Sequence, residues 1–429
     1  MEVAATPPTT NTKTISGLTR RSAEEFAERV AMRFKRDGSW HDVSFSELGA
    51  TVQEVGLGLI ELGIEQGERM SILAGTRPEW SFVDLAASSA GIVVVPIYHT
   101  NSPEECHWVI HDSGAVAVVC EDSAQLAKIE AVRDRLPNLR LAVLMDAPAP
   151  GPVAATNGTP AAAPALPVIT LAELRERGRA SGAAAELERR CDAVSPDDIF
   201  TIIYTSGTTG PPKGCVLTHA NYRAMLDSVE QGRLLRVAGD DDVVYLYLPL
   251  AHSFALLVQL VAIDLGQTIA YFGGDTKQIV AELTEVRPTY LPSVPRVFEK
   301  IYTLVSANSD PDFLARATRV GMEVRELEMA GKPITDELRA PFEEAEQKLF
   351  KNVRAVFGGR LREALSGAAP ISKEILEFFY AAGVPVMEGY GMTETSTGAT
   401  FSTPEEHRFG SIGKPLPGVE VKIAEDGEL

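Results

Sequence analysis

Apolar positions alternate between two spacings from Arg21 to Asp146. Recurrence every three or four residues predicts helices in SFSELGATVQEVGLGLIELG, PEWSFVDLAASSA and SPEECHWVIHDSG, and short apolar runs predict strands in RMSILAG, GIVVVPI and AVAVVC. Strands separated by helices of about 10 to 15 residues need crossover connections, which implies βαβ units and a mainly parallel sheet. The pattern breaks at residues 147–168, APAPGPVAATNGTPAAAPALPV, a Pro/Ala/Gly-rich stretch with no apolar period. It buries too little surface to offset the entropy of ordering and reads as a surface loop or linker.

A second α/β pattern starts near Ser195. Strands are expected at FTIIYT, DVVYLYL and QTIAYF, interleaved with the helices HANYRAMLDSVEQG, HSFALLVQLVAID and KQIVAELTEV. Residues 310–350 read as charged helices, followed by the strand LREALSG, the helix ISKEILEFFYAAG and the strand VPVME. The last residues, EVKIAEDGEL, read as a strand entering an Asp426-Gly427 hairpin turn, so the native chain is expected to continue past Leu429. The domains expected are a mobile leader (1–18), a first α/β subdomain (19–190), a second (191–400) and the start of a β-rich subdomain (401–429).

Composition narrows the function. With 429 residues the chain suits several domains. Its 59 acidic against 40 basic residues give a net charge of −19, a field that repels nucleic acid and anionic lipid. The four cysteines (Cys106, Cys120, Cys191, Cys215) form no C-x-x-C pair, and the Thr/Pro-rich amino terminus lacks an export signal, so reduced thiols in a cytoplasmic protein are expected. Phe254 to Leu265, the most apolar stretch, is too short to span a bilayer and carries Gln259 and Asp264. Weak membrane association and a homodimer both stay compatible with the sequence.

Two segments carry chemistry. In TIIYTSGTTGPPKGCVLTH, a strand runs into a loop holding Thr205, Ser206, Gly207, Thr208, Thr209, Gly210 and Lys213. Glycines permit close backbone approach, hydroxyls and amides donate to phosphate oxygens, and the ammonium offsets their charge, so the loop suits a polyphosphate. Pro211 and Pro212 prevent a helix from following, so the loop is expected to join two strands; a hairpin without a ligand is the plainer alternative. In the second, EGYGMTETSTG, Tyr390 would stack on a planar base, Thr393 would bond a phosphate oxygen and Glu394 would hold Mg²⁺. Alone it reads equally well as a Gly/Thr turn beside a solvated glutamate.

Together, YTSGTTGPPKG and YGMTE resemble the signature motifs of the adenylate-forming superfamily, which includes acyl-CoA synthetases. LPLAHSFA is similar to that family's aromatic or histidine gate and SGAAP to its adenine-binding strand end, while VPIYHTNSPEE, SVPRVFEKIY and EGYGMTET look most like long-chain fatty-acid CoA ligases. The resemblance covers about residue 20 onward. It implies an α/β fold of two stacked βαβ-type mixed sheets with flanking helices and a smaller β-rich subdomain. It also implies ATP and Mg²⁺, with a fatty acid and CoA as co-substrates. Thr205 to Lys213 would hold the β- and γ-phosphates, and Thr205 with Glu394 the Mg²⁺. Gly367, Ala368, Glu388, Gly389, Tyr390, Gly391 and Met392 would surround adenine, and Thr393 would touch the α-phosphate. His252 would stand where acyl and CoA channels meet, although it also reads as a core histidine at a helix start. Lys213, His252, Thr393 and Glu394 form the expected catalytic set.

Two departures qualify the resemblance. Ala368 stands where the family's SGGAP has glycine, and nothing in the sequence supplies the family's T-G-D segment or the small domain bearing its adenylation lysine. The expectation is a ligase whose 429-residue portion binds nucleotide and acyl chain but forms adenylate slowly. The alternatives are a non-enzymatic nucleotide- or acyl-binding module, an aryl-CoA ligase and an amino-acid adenylating enzyme.

Overall fold

The computed structural model describes residues 13–147, 165–207, 210–232 and 241–429. Most of the leader and of the Pro/Ala-rich segment, with Thr208 and Thr209 of the glycine-rich loop, lie outside the described residues. The chain divides into two compact units interleaved in sequence. One is built mainly from Pro8–Leu226 with Leu248–Gly266, the other mainly from Asp227–Tyr247 and Gln267–Leu429.

In the first unit a helix, Leu18–Glu25, precedes an antiparallel hairpin, β1 (Val30–Arg36) and β2 (Ser39–Ser44). Its turn is Asp37-Gly38, both at positive φ (50° and 78°), a turn whose twist suits paired strands. A seven-stranded sheet follows, from β3 (Arg69–Leu73), β4 (Val93–Ile97), β5 (Ala117–Cys120), β6 (Leu141–Leu144), β7 (Val168–Thr170), β8 (Ile199–Thr205) and β9 (Lys213–Thr218). Their order is β7-β6-β5-β3-β4-β8-β9, parallel throughout except for the antiparallel pair β8–β9. The strands are continuous apolar runs, as a sheet covered on both faces requires: β4, β5 and β6 are buried at every position. The crossover helices start where the sequence offers Ser/Thr-x-x-Glu. Ser44 with Glu47, Ser102 with Glu105 and Thr170 with Glu173 each form reciprocal capping boxes. The four cysteines are unbridged, with Cys106, Cys120 and Cys191 buried.

The second unit holds β10 (Val243–Leu246), β11 (Thr268–Tyr271), β12 (Tyr290–Ser293), β13 (Glu363–Ser366), β14 (Val386–Tyr390), β15 (Thr400–Phe401) and β16 (Lys414–Pro415). Parallel pairs β11–β10, β10–β12, β12–β13 and β13–β14 continue into the antiparallel pairs β14–β15 and β15–β16. The charged stretch expected to be helical forms helices Pro311–Met329 and Asp336–Ala345, then a π-helical turn at Glu346–Phe350.

The secondary structure departs from expectation toward both ends of the chain. The β1–β2 hairpin went unanticipated, although Asp37-Gly38 between two β-type runs is its signal. The strand expected over EVKIA does not form. Val421 and Ile423 stay exposed and no partner strand reaches them among the described residues, yet the turn itself closes, with Gly427 N–H donating to Ala424 O at 3.0 Å.

Candidate nucleotide and acyl-substrate site

In the first unit, β8 and β9 pair as far as Thr205 opposite Lys213, so the intervening loop connects two strands, with no helix among its described residues. Because β8 lies parallel to β4, this loop leaves the carboxyl edge of the sheet, the side on which open α/β sheets bind ligands. Ser206, Gly210 and Lys213 are exposed and Thr205 and Gly207 half-buried. Gly210 has φ of 82°. Both stems are tied to the helix Pro103–Ser113. The Trp108 indole N–H donates to Pro212 O at 2.8 Å, and the Tyr204 hydroxyl donates to Asp112 Oδ2 at 2.6 Å. Burial, with the Asp112 carboxylate beside it, pushes the Tyr204 phenol well above its ordinary pKa, so it remains a neutral donor.

His252 also belongs to the first unit. It caps the helix Ser253–Asp264, its Nδ1 accepting from Phe254 N–H at 3.2 Å, and burial holds its pKa below the usual histidine value. Every residue of that helix from Ala255 to Asp264 is buried.

The second unit gathers the residues expected around adenine. β13 and β14 run parallel with Ser366 opposite Glu388, so Gly367 and Ala368 leave one strand beside Glu388, Gly389 and Tyr390 of the next. Gly367 N–H donates to Ser293 O at 3.2 Å, and the Tyr247 and Ser293 hydroxyls bond at 2.6 Å, extending a polar strand end along β10 and β12. Burial raises the pKa of Glu388, and the N–H of Gly410 partly offsets this. The loop bearing Gly410 is seated by an aromatic group in which His407 lies 4.6 Å from both Tyr380 and Phe409.

Beyond β14 the chain turns sharply. A Cβ at Gly391 would lie 1.8 Å from Thr397 O, so only glycine fits there, and Ser396 and Thr397 take positive φ of 56° and 92°. Thr393 is buried at the start of a short helical turn, whereas Met392 and Glu394 are exposed. No cluster of three or more metal-ligating side chains occurs among the described residues. An exposed carboxylate such as Glu394 is the type of ligand an Mg²⁺ takes when water and substrate phosphates complete its shell.

Ala368 has φ of 67°, left-handed backbone that an L-residue adopts at a cost and glycine does not. The departure from the glycine-rich pattern is therefore a strained position at the end of β13. Trp108, Asp112, Tyr247, Ser293 and Gly410 escaped sequence reasoning. Only Trp108 and Asp112 left a trace, as polar-capable residues four apart on one helix face.

This chain belongs to the AMP-binding enzyme family, whose model matches residues 19–429. It is 35% identical over 402 residues to the long-chain-fatty-acid–CoA ligase FadD15 of Mycobacterium bovis, covering 92% of this chain and 62% of that protein. With the long-chain-fatty-acid–CoA ligase ACSBG2 of Xenopus laevis it shares 33% identity, over 98% of this chain and 56% of the relative. The chain thus spans less than two thirds of the length of these relatives. Among solved structures, a Mycobacterium tuberculosis fatty acyl CoA synthetase superposes with a TM-score of 0.68 at 20% identity, covering 97% of this chain and 67% of that one. The N-terminal domain of FACL13 from the same organism gives 0.66 at 20% identity, covering 94% and 83%. The fold is that of adenylate-forming enzyme N-terminal domains, and no helix among the described residues is long and apolar enough to cross a membrane.

Proposed function

We propose that this chain supplies nucleotide and acyl-substrate binding for ATP-dependent long-chain acyl-CoA formation. In the first step a fatty-acid carboxylate oxygen attacks the α-phosphorus of ATP, and pyrophosphate leaves with the electron pair of the broken P–O bond. In the second the CoA thiolate attacks the acyl carbon of the adenylate and AMP leaves. The observation that supports this reading is the register of β13 against β14, which brings Gly367–Ala368 beside Glu388–Tyr390, the strand ends we assign to a planar base.

Thr205, Ser206, Gly207, Gly210 and Lys213 donate to the β- and γ-phosphates from a loop whose stems Trp108 and Asp112 hold. Thr208 and Thr209 belong to the same loop, outside the described residues. Glu394 would hold an Mg²⁺, which when bound would supply charge neutralisation at the substrate phosphates. Thr393 bonds the α-phosphate, Tyr390 stacks on adenine, Gly391 and Met392 border it, and His252 faces the acyl path.

Thermal stabilisation by Mg·ATP and by fatty acids of graded length tests the binding. Saturation at about 100 times the dissociation constant is worth about 2.7 kcal/mol of stability. A melting temperature that millimolar Mg·ATP leaves unmoved refutes the reading. Uptake of both ligands without ATP–pyrophosphate exchange, in this chain and in one extended to the length of its relatives, would mark a binding module instead.

A further inference from the structure

The helix Ser253–Asp264 presents a problem of specification. It is apolar on every side and wholly buried from Ala255 onward, so hydrophobic packing alone would tolerate several rotations about its axis. Its two polar residues after the first turn, Gln259 and Asp264, are 0% and 4% exposed, and both are engaged. Gln259 Nε2 donates to Asp84 Oδ2 at 3.0 Å, while Gln259 Oε1 accepts from the Ser81 hydroxyl at 2.5 Å. Both partners lie on the helix Pro78–Ser89. The amide is therefore read at both ends, which admits one orientation of the side chain.

The segment leading into the helix is held from just ahead of Pro78–Ser89. Thr76, two residues before that helix begins, donates its hydroxyl to Leu248 O at 2.7 Å and accepts from Leu250 N–H at 3.1 Å. His252 lies between these two attachments, Leu248–Leu250 on one side and Gln259 on the other. At the far end, Asp264 pairs with Arg223 at 3.1 Å and with Arg21 at 3.5 Å, which stops the helix sliding along its axis.

We propose that Thr76, Ser81, Asp84 and Gln259 form a positioning platform that sets the placement of His252, and through it the acyl path of the proposed ligase. The proposal rests on the functional reading above for the role of His252, and on hydrogen-bond geometry alone for the platform. Thr76 clamps the approach, and the Ser81–Gln259–Asp84 chain locks the rotation two turns later. Asp84 acts through Gln259 and needs only an acceptor oxygen, so an amide can replace it.

The test uses histidine-selective NMR of the chain, with the His252 signal identified by its loss in His252→Gln. Three variants are compared: Asp84→Leu with Gln259→Leu, which removes both polar partners at similar volume; Thr76→Val; and Asp84→Asn. The platform requires the His252 titration midpoint to move toward the ordinary histidine value in the first two and to stay in place in Asp84→Asn. Affinity for a sixteen-carbon fatty acid should fall several-fold in the same two variants, with Mg·ATP affinity unchanged. If the double variant fails to fold, Thr76→Val decides, since it removes one methyl-sized hydroxyl. An unmoved His252 in the folded variants overturns the platform whatever the ligands do. A moved His252 with unchanged fatty-acid affinity overturns the link to the acyl path. A moved His252 in a chain that takes up neither Mg·ATP nor fatty acid leaves the platform standing and removes the ligase reading.

Discussion

Replacing Ala368 by glycine should stabilise the protein, contrary to the usual effect of adding a glycine. Ala368 occupies left-handed backbone at φ of 67°. That conformation costs an L-residue about 1–2 kcal/mol through crowding of its Cβ against the following carbonyl. Glycine removes this cost but returns about 0.4–1 kcal/mol, because its unfolded chain has more conformations to lose. The Ala368 side chain is exposed, so no packing is lost with the methyl. The net expectation is a gain of about 0.5–1 kcal/mol, read as a higher urea midpoint at unchanged slope. Ala369 is the internal control: also exposed and absent from the positive-φ positions, it should lose about 0.4–1 kcal/mol on the same change. Ala368→Val should be worse than the parent, since a β-branched residue tolerates positive φ poorly. Removing the methyl also widens the proposed adenine slot, so ATP analogues substituted on the exocyclic amine should bind Ala368→Gly better than the parent. If Ala368→Gly lowers the midpoint as Ala369→Gly does, the strain argument is wrong.

Further tests probe the supports of the site. His219 is buried, its Nδ1 accepting from Ile15 N–H at 3.2 Å, and its pKa is pushed down to about 4. The unfolded chain therefore takes up the proton first, and the stability held above pH 6.5 is lost as pH falls toward 4, by about 2 kcal/mol at pH 5; His219→Gln should flatten that part of the pH–stability curve. Asp264→Asn leaves the buried guanidinium of Arg223 without its carboxylate and should cost about 3–5 kcal/mol in denaturant unfolding, a value under 1 kcal/mol showing that the pair is not a structural support. Trp108→Phe removes the N–H that holds Pro212 O and should weaken Mg·ATP binding in calorimetry more than it lowers the melting temperature, whereas a purely structural indole would lower the melting temperature alone.

How much of this was legible in the sequence follows from the range of each interaction. The crossover helices begin where Ser44, Ser102 and Thr170 meet a glutamate three residues on, a signal complete within one turn. The buried strands β4, β5 and β6 are apolar runs that admit little else. The glycine-rich loop joins two strands because Pro211 and Pro212 deny it a helix, again a local matter. Where the outcome depends on a distant partner, local pattern fails in a consistent direction. The EVKIA run has the alternation of a strand, but no strand among the described residues completes its ladder, so it forms none. Gln259 reads as one polar interruption in an apolar helix, and only the helix Pro78–Ser89, some 175 positions away in sequence, turns it into a hydrogen-bonded lock. The same holds at the proposed site. Residue types that can contact a ligand cluster in short motifs because backbone approach requires small residues in succession, whereas Trp108 on Pro212, Gly410 on Glu388 and Ser293 on Gly367 are set by strand order and helix packing. The contacts proposed for ATP can thus be guessed from a string of letters, but the groups that hold those contacts still cannot. Mutational tests should accordingly weigh Trp108 and Asp84 as heavily as Lys213 and Glu394.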